Sequence, residues 1–129
     1  THNSHYYDLV GIRNVYFGAY ERVDGSKVEG ASLAELVSEK DPALAEEMKA
    51  KLDATLAAMT ALKERAEGGE AYDQMIGQGN EEGNAVVQAA IDGLVDQTRS
   101  LERVITALDL GGIELEGSDS LDNPNAVFE

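Results

Sequence analysis

The sequence predicts an all-α fold, an antiparallel bundle of about four helices. Three observations predict it. Two long stretches, about 42–67 and 81–110, repeat apolar residues at alternating steps of three and four. Both are bracketed by residues that start and stop helices. The opening stretch, about 4–20, is densely apolar but lacks the alternation of a strand.

In that opening stretch, SHYYDLVGIRNVYFGAY, Leu9, Ile12, Tyr16 and Tyr20 fall on one helical face, which Val10, Val15 and Phe17 widen. So wide an apolar surface predicts a helix buried on more than one side. Gly11 and Gly18 cost helix stability, about 1 kcal/mol each against Ala, and point to close approach by a neighbour or to a bend. Residues 21–31 read as a loop, with Asp24-Gly25 and Gly30 as turn signals. Ser32 and Glu35 form a capping box that opens a short helix to about Lys40. Asp41-Pro42 then starts a new helix, because Pro presets the first turn and Asp accepts its free amides.

Along 42–67 the seam is Leu44, Met48, Leu52, Thr55, Met59, Leu62 and Ala66, with Glu47 and Lys51 placed for an i,i+4 pair. Gly68-Gly69 ends it. A short segment with Tyr72, Met75 and Ile76 follows, broken by Gly77 and Gly79. Asn80 is the candidate N-cap of the last helix. There the seam reads Val87, Ile91, Leu94, Thr98, Leu101, Ile105 and Leu108, with Gly111-Gly112 as the stop. The expected core includes Ile12, Leu52, Met59, Ile91, Leu94, Leu101 and Ile105. No strand is expected. The whole of 1–129 reads as a single helical-bundle domain with an irregular acidic tail at about 113–129.

Composition narrows the partners. Lys and Arg number 10 against 25 Asp and Glu, for a net charge of −15. That balance opposes nucleic acid and anionic lipid, which need a basic surface. A hydrophobic content of 43% argues against global disorder. No apolar run is long enough for a membrane span. With no cysteine, thiolate chemistry and disulfides are excluded. The chain opens at Thr1 without Met or a signal-peptide pattern, which reads as a processed chain or a piece of a longer one.

The candidates for chemistry lie in the opening helix. His2, His5 and Asp8 step by three, and imidazole with carboxylate suits a transition metal. Against that stands an ordinary polar helix start, and the HExxH zinc arrangement is absent. Arg13 and Asn14 interrupt an apolar helix. Asp8 lies on the wrong side to serve Arg13, which therefore needs an acid from elsewhere: a structural salt bridge, or a residue lining a site. The tyrosines, Tyr16 among them, fit a core or bundle edge before a binding box. SDSLDN in the tail lacks the length, Gly and closing Glu of a calcium loop. Nucleophile elbows and phosphate-binding Gly loops are not recognisable.

The order of these features resembles imelysin-like proteins. The resemblance rests on Thr1, His2, Asp8 and the stretch Gly11, Ile12, Asn14, Val15, Tyr16 and Gly18. It continues through Ser32, Leu33, Leu36 and Val37, then Asp41, Pro42 and Leu44, then Tyr72 and Asp73. It implies the second, C-terminal half of a two-bundle domain. It also implies an exported bacterial protein, periplasmic or outer-membrane-associated, linked to iron uptake and classed as a metallopeptidase. The family's GxHxxE signature belongs to the first half and does not occur in this sequence. His5 departs from the family pattern.

The resemblance therefore favours a binding module whose site is completed by the N-terminal half of the same protein or by a second copy. Its metal, iron or zinc, would be held by His2 and Asp8, with His5 as a weaker candidate. Arg13, Asn14 and Tyr16 would line the interface. The alternatives are half of a metallopeptidase and an acidic helical domain used only for protein contacts.

Overall fold

The computed structural model describes residues 1–111. The expectations for the acidic tail lie outside the described residues. The chain begins with α1 (His2–Phe17). Two short strands follow, β1 (Ala19–Glu21) and β2 (Lys27–Glu29). Then come α2 (Leu33–Lys40), α3 (Pro42–Glu67), the single-turn α4 (Tyr72–Met75) and α5 (Glu81–Ala107).

The hairpin corrects the expectation that no strand would occur. Helix α1 stops early because Gly18 takes the left-handed conformation, φ 61°, where Gly is cheapest. A Cβ at Gly18 would also fall 2.8–2.9 Å from the Gly30 and Ala31 carbonyl oxygens and the Ser32 Cβ. Here the close approach read from the sequence is real; at Gly11 nothing lies within 4 Å. Tyr20, expected on the helix, instead sits opposite Val28 in the antiparallel pair. The Arg22 N–H donates to the Ser26 carbonyl at 2.8 Å, closing the turn around Asp24-Gly25.

The expected caps all form. The Ser32 hydroxyl accepts from the Glu35 N–H at 3.1 Å, and the Glu35 carboxylate accepts from the Ser32 N–H at 3.1 Å. Asp41 accepts from Leu44 N–H at 3.0 Å, and Asn80 from Gly83 N–H at 2.9 Å.

Helix α3 is the axis on which α1, α2 and α5 pack. Three ties make α5 antiparallel to it: Lys51 with Asp96, Glu47 with Ser100 at 2.9 Å, and Glu47 with Arg103 at 2.6 Å. Glu47 and Lys51 thus reach across to α5 rather than to each other. The α3 seam is as expected, with Leu44, Met48, Leu52, Thr55, Met59 and Leu62 buried. On α5 the buried line is Gly83, Val87, Ala90, Gln97, Ser100 and Val104. It is rotated from the expected one: Ile91, Leu94, Leu101 and Ile105 are half-buried along the flank. Small residues occupy the centre of the contact because the helices approach closely there, leaving the large aliphatic residues to wrap its edges. Ile12, expected in the core, is 40% exposed.

The core divides in two. Leu9, Met59, Leu62, Met75, Val87 and Ala90 form one cluster. Tyr16, Val37, Leu44, Met48, Leu52 and Val104 form the other. Between them in sequence on each of α1, α3 and α5 lies a polar residue: Arg13, Thr55 and Gln97. Thr55 and Gln97 are both buried.

Candidate functional site

Helix α1 runs past α3 with Leu9 in the first cluster and Tyr16 in the second. A step of three residues turns an α-helix by about 300°. The strip His2, His5, Asp8 therefore winds around α1 rather than staying on one line. His2 is half-buried, while His5 and Asp8 are exposed.

His2 and Asp73 line one open cleft of about 360 Å³, together with Thr1, Ala66, Gly69, Ala71 and Tyr72. The cleft exists because α4 begins just after the Gly68-Gly69 stop and lies beside the first turn of α1. A close contact holds α4 there: a Cβ at Gly83 would fall 2.7 Å from the Met75 Cα and carbonyl oxygen. The Asn84 amide adds a bond to the Met75 carbonyl at 2.9 Å. His5 lies on the other side of Tyr72, its ring centroid 5.7 Å away and tilted by 48°. It borders a separate, apolar cavity with Met59, Leu62, Tyr72, Val87, Ala90, Ile91 and Leu94.

The surrounding charges are largely paired. Lys63 bonds Glu67 and holds its carboxyl below the ordinary value, with a smaller pull from His2. Asn80 first, and Arg65 second, lower the Glu70 carboxyl. Among the described residues, no three His, Asp or Glu side chains gather closely enough to hold a metal ion.

The remaining candidates are spread along α1. Arg13 finds its acid on α3, donating from Nη2 to Asp53 Oδ1 at 2.7 Å and lying 5.3 Å from the Phe17 ring centre. Lys49 shares the same carboxylate at 2.7 Å. Lys49 first, then Arg13, keeps the Asp53 carboxyl below its usual range. Arg13 thus has the structural ion pair that the sequence required. Asn14 faces a different hollow, about 210 Å³, with Ala19, Tyr20, Glu21, Lys27 and Glu29 of the hairpin. Tyr16 is 2% exposed, and burial raises its phenol above the ordinary value. Tyr16 is therefore a core residue, the ordinary reading of a tyrosine at this spacing.

The arrangement brings His2 and His5 to either side of Tyr72 and leaves Arg13, Asn14 and Tyr16 elsewhere. Asp73 was not singled out for chemistry from the sequence. Its signal was available in the Tyr72-Asp73 pair, but nothing local says that a turn after α3 folds back to the chain's start.

No curated protein matches this chain. The family model for imelysin, Peptidase_M75, matches residues 1–101. With the match spanning the opening helix, the Ser32 capping box, the first long helix, the Tyr72-Asp73 turn and the second long helix as far as Leu101, this chain belongs to the imelysin family.

Proposed function

We propose that this chain is the C-terminal, binding half of an exported imelysin-type protein that serves iron or other metal uptake. In this reading the metal site is completed by the N-terminal half or by a second copy, in the periplasm or at the outer membrane of a bacterium. Family membership supports it. The observation that carries it is the open cleft holding His2 and Asp73, with His5 across Tyr72 and Asp8 six residues beyond His2 on α1. These are nitrogen and oxygen donors of the kind that suit iron or zinc. Too few converge in one place to close a coordination sphere without groups from outside.

The partner would cover the outward strip of α1. Tyr7 is 62% and Val15 72% exposed there, and Leu36 of α2 extends the face at 51%. Val15 and Leu36 border one surface hollow together with Leu33, and exposed apolar side chains gathered in this way support an interface. Asn14 lies at its edge, while Arg13 and Tyr16 support the helix from within.

Titration calorimetry with zinc and iron tests the reading. The 129-residue chain alone should bind weakly, and adding the N-terminal half should tighten binding and make it stoichiometric. His2→Ala should abolish the gain. A tight site in the chain alone, indifferent to His2→Ala, would overturn the assignment.

A further inference from the structure

The cavity beside His5 is lined almost entirely by aliphatic and thioether side chains. Met59, Leu62, Val87 and Ala90 form its buried wall, and Ile91 and Leu94 flank it. Its volume is about 160 Å³. An enclosed apolar protein cavity of about 150 Å³ takes up benzene, and this pocket offers similar room while opening to solvent beside His5. The volume therefore suits one six-membered ring.

The polar groups are confined to two residues. Among the lining residues only the His5 imidazole and the Tyr72 phenol carry nitrogen or oxygen on the side chain, and these two rings lie against each other. No lining side chain is an acid, a lysine or an arginine. A charged ligand would lose its hydration with no counter-charge to replace it. Small-molecule sites commonly combine an apolar body with one or two polar groups that orient the guest. His5 exposed on the outside and Met59 buried on the inside give this cavity that polarity.

We infer that this cavity is a binding site for a small, uncharged aromatic alcohol of the phenol class, its ring against Met59, Leu62 and Leu94 and its hydroxyl at His5 and Tyr72. The inference needs no metal and shares only His5 with the donors of the metal reading, whose cleft with His2 and Asp73 is a separate one. It gives His5, the residue that departs from the family pattern, a role as the polar rim of an apolar site.

Methyl-resolved NMR on the metal-free 129-residue chain tests it, with phenol and benzene as probes. Both should produce saturable shifts at Met59, Leu62 and Leu94 that leave Met48 and Leu52 of the second cluster unmoved. His5→Ala should weaken phenol about five- to tenfold, the loss of one neutral hydrogen bond, and change benzene less than twofold. Ala90→Val, which adds bulk to the buried wall, should weaken both probes at least tenfold. If Ala90→Val fails to fold, the phenol-against-benzene split in His5→Ala decides alone. Shifts that do not saturate, shifts spread evenly over both clusters, or a His5→Ala effect equal for the two probes would overturn the site.

Discussion

Gly93 of α5 rests on Thr55 of α3. A Cβ placed on Gly93 would lie 3.0 Å from Thr55 Oγ1 and 3.2 Å from its Cα. The Thr55 hydroxyl is itself fixed, donating to the Lys51 carbonyl at 2.9 Å. A larger side chain at 93 must therefore push the helices apart. Gly93→Val should destabilise the chain by about 2–3 kcal/mol, within the usual cost of overpacking, despite removing a helical glycine. Urea unfolding measures it, and an unchanged midpoint would show that the helices separate freely.

The ion pair of Arg13 and Asp53 fixes a pH dependence. The Asp53 carboxyl is held low, by Lys49 first and Arg13 second. A lowered folded-state value means stability present above the ordinary carboxylate range, near pH 4, and lost as pH falls through it toward the lowered value. Asp53→Asn should therefore be less stable than the parent chain at pH 6–7. The difference should close progressively below about pH 4. A gap that persists unchanged at pH 2.5 would mean that packing, not charge, links the two helices.

Tyr16 Oη and Gln97 Oε1 are buried without a hydrogen-bond partner among the described residues. A buried unpaired polar group costs free energy. Tyr16→Phe removes one of them while keeping the ring that packs in the second cluster. Thermal unfolding should show the variant equal to the parent or more stable by about 1 kcal/mol. A loss of more than about 1 kcal/mol would show that the hydroxyl is satisfied by a bound water.

Leu52 and Ile12 should respond oppositely to truncation. Leu52 is 0% and Ile12 40% exposed. Leu52→Ala should cost about 2–5 kcal/mol, the usual range for a buried leucine. Ile12→Ala should cost under about 1 kcal/mol in the chain alone. If a partner covers the outward strip of α1, the cost of Ile12→Ala should rise in the complex.

Caps were the most legible features, because a cap is a local contract between residues three apart. Ser32 with Glu35, Asp41 with Leu44, and Asn80 with Gly83 each form as their spacing requires. The α3 seam was legible for a related reason: one helix surrounded on several sides must show its apolar line at full size. The α5 seam was not, since Ala90, Gly93 and Ser100 face α3 while larger residues sit beside them, and Gly83 meets Met75 of α4 instead. Hydrophobicity ranks Ile91 above Ala90, but the distance between helices decides which one lies at the centre. The hairpin was hidden because Tyr20 and Val28 read as helix and loop when taken singly; their pairing is a property of two segments. The same limit hid the cleft. His2 and Asp73 are far apart in sequence, and only the fold-back of α4 brings them together.

The break between the two apolar clusters has a consequence for how α3 and α5 find each other. Both helices repeat nearly the same three-and-four steps, so a slide of one heptad would preserve most of the apolar matching. It would not preserve the waist. Shifted one way by seven residues, Gln97 would take the place of Ala90 against the Met59–Leu62 cluster, an amide stranded in hydrocarbon. Ser100 would take the place of Gly93 at the Thr55 notch, and Glu47 would lose Arg103. The polar residues thus act as a vernier on an otherwise repetitive scale, opposing that slide.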